Sequence, residues 1–393
     1  MSTTRKGIGR RGFIRRAAVA AASLAGVSYL ALLSARRTDE AFLEQLSGFQ
    51  TSFAPPEPLP GLTDYKGVIH VRAPMPDAPE DSREFFAAAQ DAHLQFLMLT
   101  DRNDPRRFAA KPSGTPKGIA VIRGSEVVKD GQHLLALGLR DYIDDQHLSL
   151  AELVTAVKTQ GGLVFASRPN HFRDWNIAGL DGVEVYNVAA SARRNAWRAP
   201  RMFSGMLTPG RRMPEQTFLR GPLDRPNAAL ARWDELTQSR KYVGIAGNDA
   251  HLGLVPFDGA LEPYRHNFAF LQTHLLAPGP DATSLLTALR AGRAYWSYEM
   301  LTEATGFQFV AHSETARHVM GDAVPLNARP VLTVHTPQRA NIRLFRHGER
   351  IRDEDAARFD FVVQHPGVYR AEVHLSIGGV HYPWIFSNPI YVV

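Results

Sequence analysis

Phe96-Leu97-Met98-Leu99 runs without a break into Thr100-Asp101-Arg102-Asn103, four apolar residues followed by four polar ones. So short an apolar run reads as a strand covered on both faces, which puts the polar residues at its C-terminal tip. The pattern recurs along the chain. Val68-Ile69 leads into His70, and Ile119-Ala120-Val121-Ile122 into Gly124-Ser125-Glu126. Leu163-Val164-Phe165 leads into Arg168-Pro169-Asn170-His171, and Val183-Glu184-Val185-Tyr186 into Asn187. Val243-Gly244-Ile245-Ala246 ends in Gly247-Asn248-Asp249-Ala250-His251, and Leu134-Leu135-Ala136-Leu137 is a further run of the same kind.

Helical spacing fills the intervals. Leu150, Leu153, Val154 and Val157 form one apolar stripe, Leu230, Trp233 and Leu236 a second, and Leu285, Leu286 and Leu289 a third that stops at Gly292. Strand–helix alternation from residue 65 to 301 predicts an α/β fold, a parallel sheet closed into a seven-stranded β/α (TIM-like) barrel. In a barrel all C-terminal strand tips open on one mouth, so scattered polar residues meet there.

The flanking segments read differently. Residues 1–37 hold eight bases and no acid, with Arg10-Arg11-Gly12-Phe13-Ile14-Arg15 ahead of the Ala-rich run from Ala17 to Ala35. That layout resembles a twin-arginine export signal, which predicts an extracytoplasmic protein that touches a membrane only through this signal or a retained anchor. Residues 38–64, with Phe53-Ala54-Pro55-Pro56-Glu57-Pro58-Leu59-Pro60, read as a Pro-rich linker. From residue 302 to 393 helical spacing disappears. Short alternating runs at 330–334, 342–345, 359–363, 368–373 and 384–386, with turns at Gly348, Pro366-Gly367 and Gly378-Gly379, predict a small β-sandwich.

Composition narrows the chemistry. The chain has 393 residues, 44% of them hydrophobic, and no cysteine, which excludes a disulfide framework, a thiolate nucleophile and any sulfur-ligated metal. The net charge of +6 comes from the leader; beyond residue 37 there are 37 bases against 39 acids. A nucleic-acid partner therefore has no electrostatic support, and a small anionic substrate or ligand is the expected partner.

Taken in order, the strand tips resemble the polymerase-and-histidinol-phosphatase (PHP) family of metal-dependent hydrolases, which are distorted seven-stranded β/α barrels. That family reads H-x-H, T-D-H-N, G-x-E, A-H-P-N behind a Gly-Gly pair, and D-x-H. This chain offers His70-Val71-Arg72, Thr100-Asp101-Arg102-Asn103, Gly124-Ser125-Glu126, Gly161-Gly162 before Ser167-Arg168-Pro169-Asn170, and Asp249-Ala250-His251. The stretch from 383 to 391, Pro-Trp-Ile-Phe-Ser-Asn-Pro-Ile-Tyr, resembles the exported, carbaryl-hydrolase-like branch.

The resemblance implies metal ligation by His70, Glu126, Asp249 and His251, with His133 matching a further ligand position. Arg72, Arg102 and Arg168 stand where the family has histidines, and a guanidinium has no lone pair to give a metal. What remains would hold one divalent ion (Zn, Mn or Fe) or none. Asp101, Glu126 and Asp249 bring three negative charges to the mouth and the arginines three positive ones, a set able to neutralise itself through bidentate pairs. Two readings follow. In one, a reduced-site hydrolase of phosphoesters or related esters uses metal-bound water, with Arg72, Arg102, Arg168 and Asp101 acting on the substrate. In the other, an inactive PHP-fold protein holds an anion at an arginine-lined mouth. Glu184 and Asn187 are expected to support the site from behind, and the Arg-rich segment 188–226 to lie over it as a surface loop or lid.

Overall fold

The computed structural model describes residues 40–74, 79–194, 223–250, 263–314 and 316–393. It is a mixed α/β structure in which a large sheet dominates and helices are few. Seven strands occupy the runs read from the sequence: β1 (Thr63–Val71), β2 (Phe96–Leu99), β3 (Ala120–Lys129), β4 (Gln132–Leu137), β5 (Leu163–Ser167), β6 (Gly182–Asn187) and β7 (Val243–Gly247). Each pairs with the next. A parallel bridge between Val71 and Ala250, with Asn248 N–H donating to Ile69 O at 2.9 Å, joins the end of β7 back to β1.

The two faces of these strands are buried in different places. Ile69, Met98, Ile122, Leu135, Phe165 and Ile245 share one apolar cluster. Their neighbours Val68, Leu97, Leu99 and Val121 pack in another, with Phe85 of the helix Pro79–Asp91 and Phe268 of the helix Pro263–Phe270. The stripe Leu150, Leu153, Val154, Val157 is the buried face of the helix Leu150–Thr159, whose start is closed by a Ser149–Glu152 capping box. The helix Ala282–Ala291 ends at Gly292, which takes a left-handed φ of 73°.

The sheet is not the parallel one expected. β3–β4 and β4–β5 are antiparallel, because Asp130-Gly131 (φ 50° and 73°) makes a two-residue hairpin turn, and such a turn can only reverse the chain. On the other side of β1 come two more antiparallel strands, β8 (Gln272–Ala277) and β9 (Ala294–Ser297). The segment read as linker holds a helix over 40–51, whose Phe42 and Leu46 are buried in the main core.

The last part of the chain adds β10 (Gln308–His312), β11 (Arg317–Val319), β12 (Ala323–Val324), β13 (Val331–Arg346), β14 (Glu349–Val362), β15 (Gly367–Ile377), β16 (Val380–Ser387) and β17 (Ile390–Val392). Turns fall at Gly348, Gly367 and Gly378-Gly379 as read. The runs at 330–334 and 342–345, expected as two strands, belong to the single strand β13; its pairing with β14 is interrupted between His335 and Ala340 and then resumes. Pairing of β16 with β9 carries the hydrogen bonding from the first half of the chain into this part. No helix among the described residues is long and apolar enough to cross a membrane, and the leader, residues 1–37, lies outside them.

Candidate functional site

His70, Arg168 and Asp249 follow the apolar runs of β1, β5 and β7, and all three adopt positive φ, 61°, 54° and 46°. Non-glycine residues in the left-handed region carry backbone strain, and here three of them fall at the same ends of their strands. The β1–β2 register shifts between Ile69 and Val71, which turns the His70 side chain into the site.

His70 is wholly buried and faces three carboxylates. Its Nδ1 lies 2.6 Å from Glu184 Oε1, and its Nε2 3.9 Å from Glu126 Oε2 and 3.7 Å from Asp249 Oδ1. Burial works against its charge, but Glu184, Glu126 and Asp249 outweigh burial and raise the pKa well above the ordinary 6.5. Glu184 is fixed in turn: Ser167 Oγ donates to its Oε2, and Asn187 Nδ2 to its Oε1 at 3.1 Å. Gly247 allows this approach, since a Cβ there would land on the Glu184 carboxylate.

The expected residues separate into groups. Arg72 joins the carboxylates: its NH2 donates to Glu126 Oε2 at 3.2 Å and lies 3.9 Å from Asp249 Oδ1. The pairing is through one nitrogen and not bidentate. His133 Nδ1 lies 2.9 Å from the other Glu126 oxygen. Burial pushes the Glu126 pKa up, but His70, His133 and Arg72 together hold it well below the usual carboxylate range. Asp101 accepts from Ala73 N–H at 3.3 Å, with Lys111 Nζ and Arg107 NH1 each 3.7 Å away. The Arg102 backbone bridges to Glu126, but its side chain is exposed and reaches no carboxylate among the described residues. Half-buried Arg168 lines the adjoining cavity. His251 lies outside the described residues.

Two basic residues were not singled out as partners for these carboxylates. Arg193, in the helix Val188–Arg194, brings NH2 to 3.8 Å from Asp249 Oδ2; the sequence placed it only in an Arg-rich loop. Lys111 is buried beside Asp101 and donates to Gly124 O at 2.5 Å. Burial lowers its pKa to about 8 despite Asp101, and nothing in its spacing announced it.

A cavity that meets the His70 cluster at Glu184 has a volume of about 520 Å³, and its walls carry Arg168, Arg193, Arg194 and Arg225 against Glu184 and Asp224. A divalent metal fits the neighbouring carboxylates poorly. Asp249 Oδ1 is buried without a hydrogen-bond partner, which suits a cation, whereas His70, its pKa raised by three carboxylates, must give up a proton before its equally partnerless Nε2 can ligate a metal. The cation already there is the Arg72 guanidinium, and among the described residues no group of three or more His, Asp or Glu is arranged to hold an ion.

No family model and no curated protein matches the chain. Among solved structures it is similar to a two-domain protein from Bacteroides vulgatus ATCC 8482 that contains a predicted PHP-like metal-dependent phosphoesterase. Identity is 13%, 85% of this chain and 98% of that chain are covered, and the TM-score is 0.41. So loose a superposition says nothing about the chemistry of the present site.

Proposed function

We propose that this chain is an exported protein with a PHP-type barrel (residues 65–301) and a C-terminal β-sandwich (302–393), and that it binds a small anion at an arginine-lined mouth. The ligand class is a phosphate or carboxylate group on a small molecule. The observation that carries this reading is Arg72. Its guanidinium sits between Glu126 and Asp249, so the carboxylates that would draw a metal are already balanced by a protein cation. Among the described residues Arg168 has no carboxylate partner and lines the cavity, so it is the group left to hold an anion; Arg193, half-exposed and 3.8 Å from Asp249 Oδ2, lines the same cavity. Glu184 keeps His70 charged and in place behind them. Export rests on the twin-arginine leader, and exclusion of nucleic acid on the acidic balance of the remainder.

The partnerless His70 Nε2 and Asp249 Oδ1 favour a second reading, a reduced-site hydrolase. There His70, Glu126 and Asp249 would hold one Zn, Mn or Fe ion once Arg72 withdrew, and the ion would supply activated water. Elemental analysis and calorimetric titration with inorganic phosphate separate the two. Anion binding predicts metal-free protein, saturable phosphate uptake, and loss of uptake in Arg168→Gln. One equivalent of metal that disappears in His70→Ala, together with hydrolysis of a phosphate ester, overturns the first reading in favour of the second.

A further inference from the structure

Arg225 is the cavity arginine whose partner comes from the C-terminal part of the chain. Its Nε and NH2 donate to Glu372 Oε2 and Oε1 at 2.8 and 2.7 Å, a two-point fork, while NH1 donates to Asn227 Oδ1 at 2.5 Å. Glu372 lies on β15 and is wholly buried. The same carboxylate accepts from Arg370 NH1 at 2.5 Å. Arg370, also buried, forks onto Asp234 with its Nε and NH2 at 2.5 and 2.7 Å. Asp234 belongs to the helix Asn227–Thr237, and the first turn of that helix (Asn227, Ala228, Ala229) lines the cavity. Both guanidinium groups lie over the Phe345 ring, 5.4 and 4.3 Å from its centroid.

The ion chain closes on itself, from the cavity wall through Glu372, Arg370 and Asp234 to the helix that starts at that wall. Two cations and two anions balance, and Asp234, Arg370 and Glu372 are buried. Burial works against the charge on Glu372, but His374, Arg370 and Arg225 hold its carboxyl well below the usual range. Arg225 alone of the four keeps a substantial exposed edge, 28% of its side chain, and that residue lines the cavity.

We infer that the C-terminal sheet is part of the anion site, with Glu372 as a positioning residue that fixes Arg225 on the cavity wall and cancels its charge there. This rests on the anion-binding reading above. A charge cancelled from behind contributes shape rather than attraction. Remove the Glu372 charge, and the Arg225 cation finds its counter-charge in whatever anion enters the cavity.

The test is calorimetric titration of inorganic phosphate into the full chain, native and as Glu372→Gln, Arg225→Gln and the double variant. Glu372→Gln is expected to tighten phosphate binding by about threefold or more, since one uncancelled charge then faces the cavity. Arg225→Gln, which leaves the Glu372 charge uncancelled, weakens it, and the double variant returns to about the native affinity, without the tightening seen for Glu372→Gln alone. If Glu372 only packs the sheet, Glu372→Gln weakens binding equally with and without Arg225, which overturns the inference. Should Glu372→Gln fail to fold, Arg225→Gln against Arg225→Lys decides: the lysine retains phosphate affinity and the glutamine loses it, and equal affinities overturn the claim. Phosphate binding that ignores every one of these substitutions sinks this inference alone. Native protein that takes up no phosphate sinks the anion-binding reading and this inference with it.

Discussion

Arg72→Met removes the guanidinium while keeping most of its stem. The variant leaves Glu126 and Asp249, 3% and 4% exposed, facing each other across His70 with one cation fewer. At an effective dielectric of 20, the 3.2 Å and 3.9 Å approaches correspond to roughly 5 and 4 kcal/mol of Coulomb attraction before desolvation is subtracted. Breaking a buried pair costs about 3–5 kcal/mol, and the low end applies because Arg72 is 21% exposed and Glu126 keeps His133. At about 1.2 °C per kcal/mol for a chain of this size, a loss of about 3 kcal/mol lowers the melting temperature by about 4 °C. Glu126, Asp249 and, with loss of its proton, His70 would then be the residues to hold a divalent ion in the vacated space. Mn²⁺ or Zn²⁺ at 100 times its dissociation constant is expected to return about 2.7 kcal/mol, most of the lost stability. Differential scanning calorimetry with and without metal reads both effects, and the native protein is expected to be indifferent to metal and chelator. A variant that melts with the native protein, or metal that stabilises both alike, refutes the claim that Arg72 is the resident cation.

The remaining expectations concern the frame of the site. His274 is buried between Asp64 at 3.0 Å and Glu299 at 3.2 Å and stacks on Tyr295; burial lowers its pKa, but the two carboxylates win and raise it to about 9. A folded pKa above the ordinary 6.5 means that its contribution is complete below pH 6.5 and fades as pH rises toward 9. Urea denaturation across that range should show a fall of about 3 kcal/mol that His274→Gln abolishes, and an identical pH profile in the variant would refute the assignment. Gly247→Ala drives a Cβ into Glu184 and to 3.0 Å from His70 Cβ, so it should cost about 2–3 kcal/mol and shift the His70 ring resonances in NMR; unchanged His70 shifts would show that Glu184 is not what orients the ring.

The seven strand runs were legible because each is apolar on both faces and ends abruptly in polar residues, and His70, Glu126, Asp101 and Asp249 were found by the same boundary. Antiparallel β4 was not, although Asp130-Gly131 announces a tight hairpin, because strand–helix alternation dominated the reading of that region. The three arginines look equivalent in sequence, each within three residues of the end of an apolar run. The fold distinguishes them by where the backbone turns: Arg72 turns in toward the carboxylates, Arg168 opens on the cavity through its left-handed φ, and Arg102 stays exposed on its bridge to Glu126. Lys111, Arg193 and the Arg225–Glu372 fork left no pattern to read. Their partners are fixed by topology at separations of up to 147 residues, where no periodicity connects the two ends.

At the mouth, the carboxylates of Glu126, Glu184 and Asp249 face His70, whose pKa they raise, and the guanidinium groups of Arg72 and Arg193, so protein cations meet these carboxylates before any ligand arrives. That order constrains the chemistry. A guanidinium has no vacant orbital with which to bind water and release its proton, so Arg72 can neutralise these carboxylates without generating hydroxide, whereas a metal in the same position does both. A metal can enter only if Arg72 leaves, and Arg72 leaves cheaply only if another cation replaces it. Metal and guanidinium therefore compete for one position. Arg168 lines the cavity beyond that position, so the anion-binding proposal does not depend on which cation occupies it, whereas the hydrolase reading does.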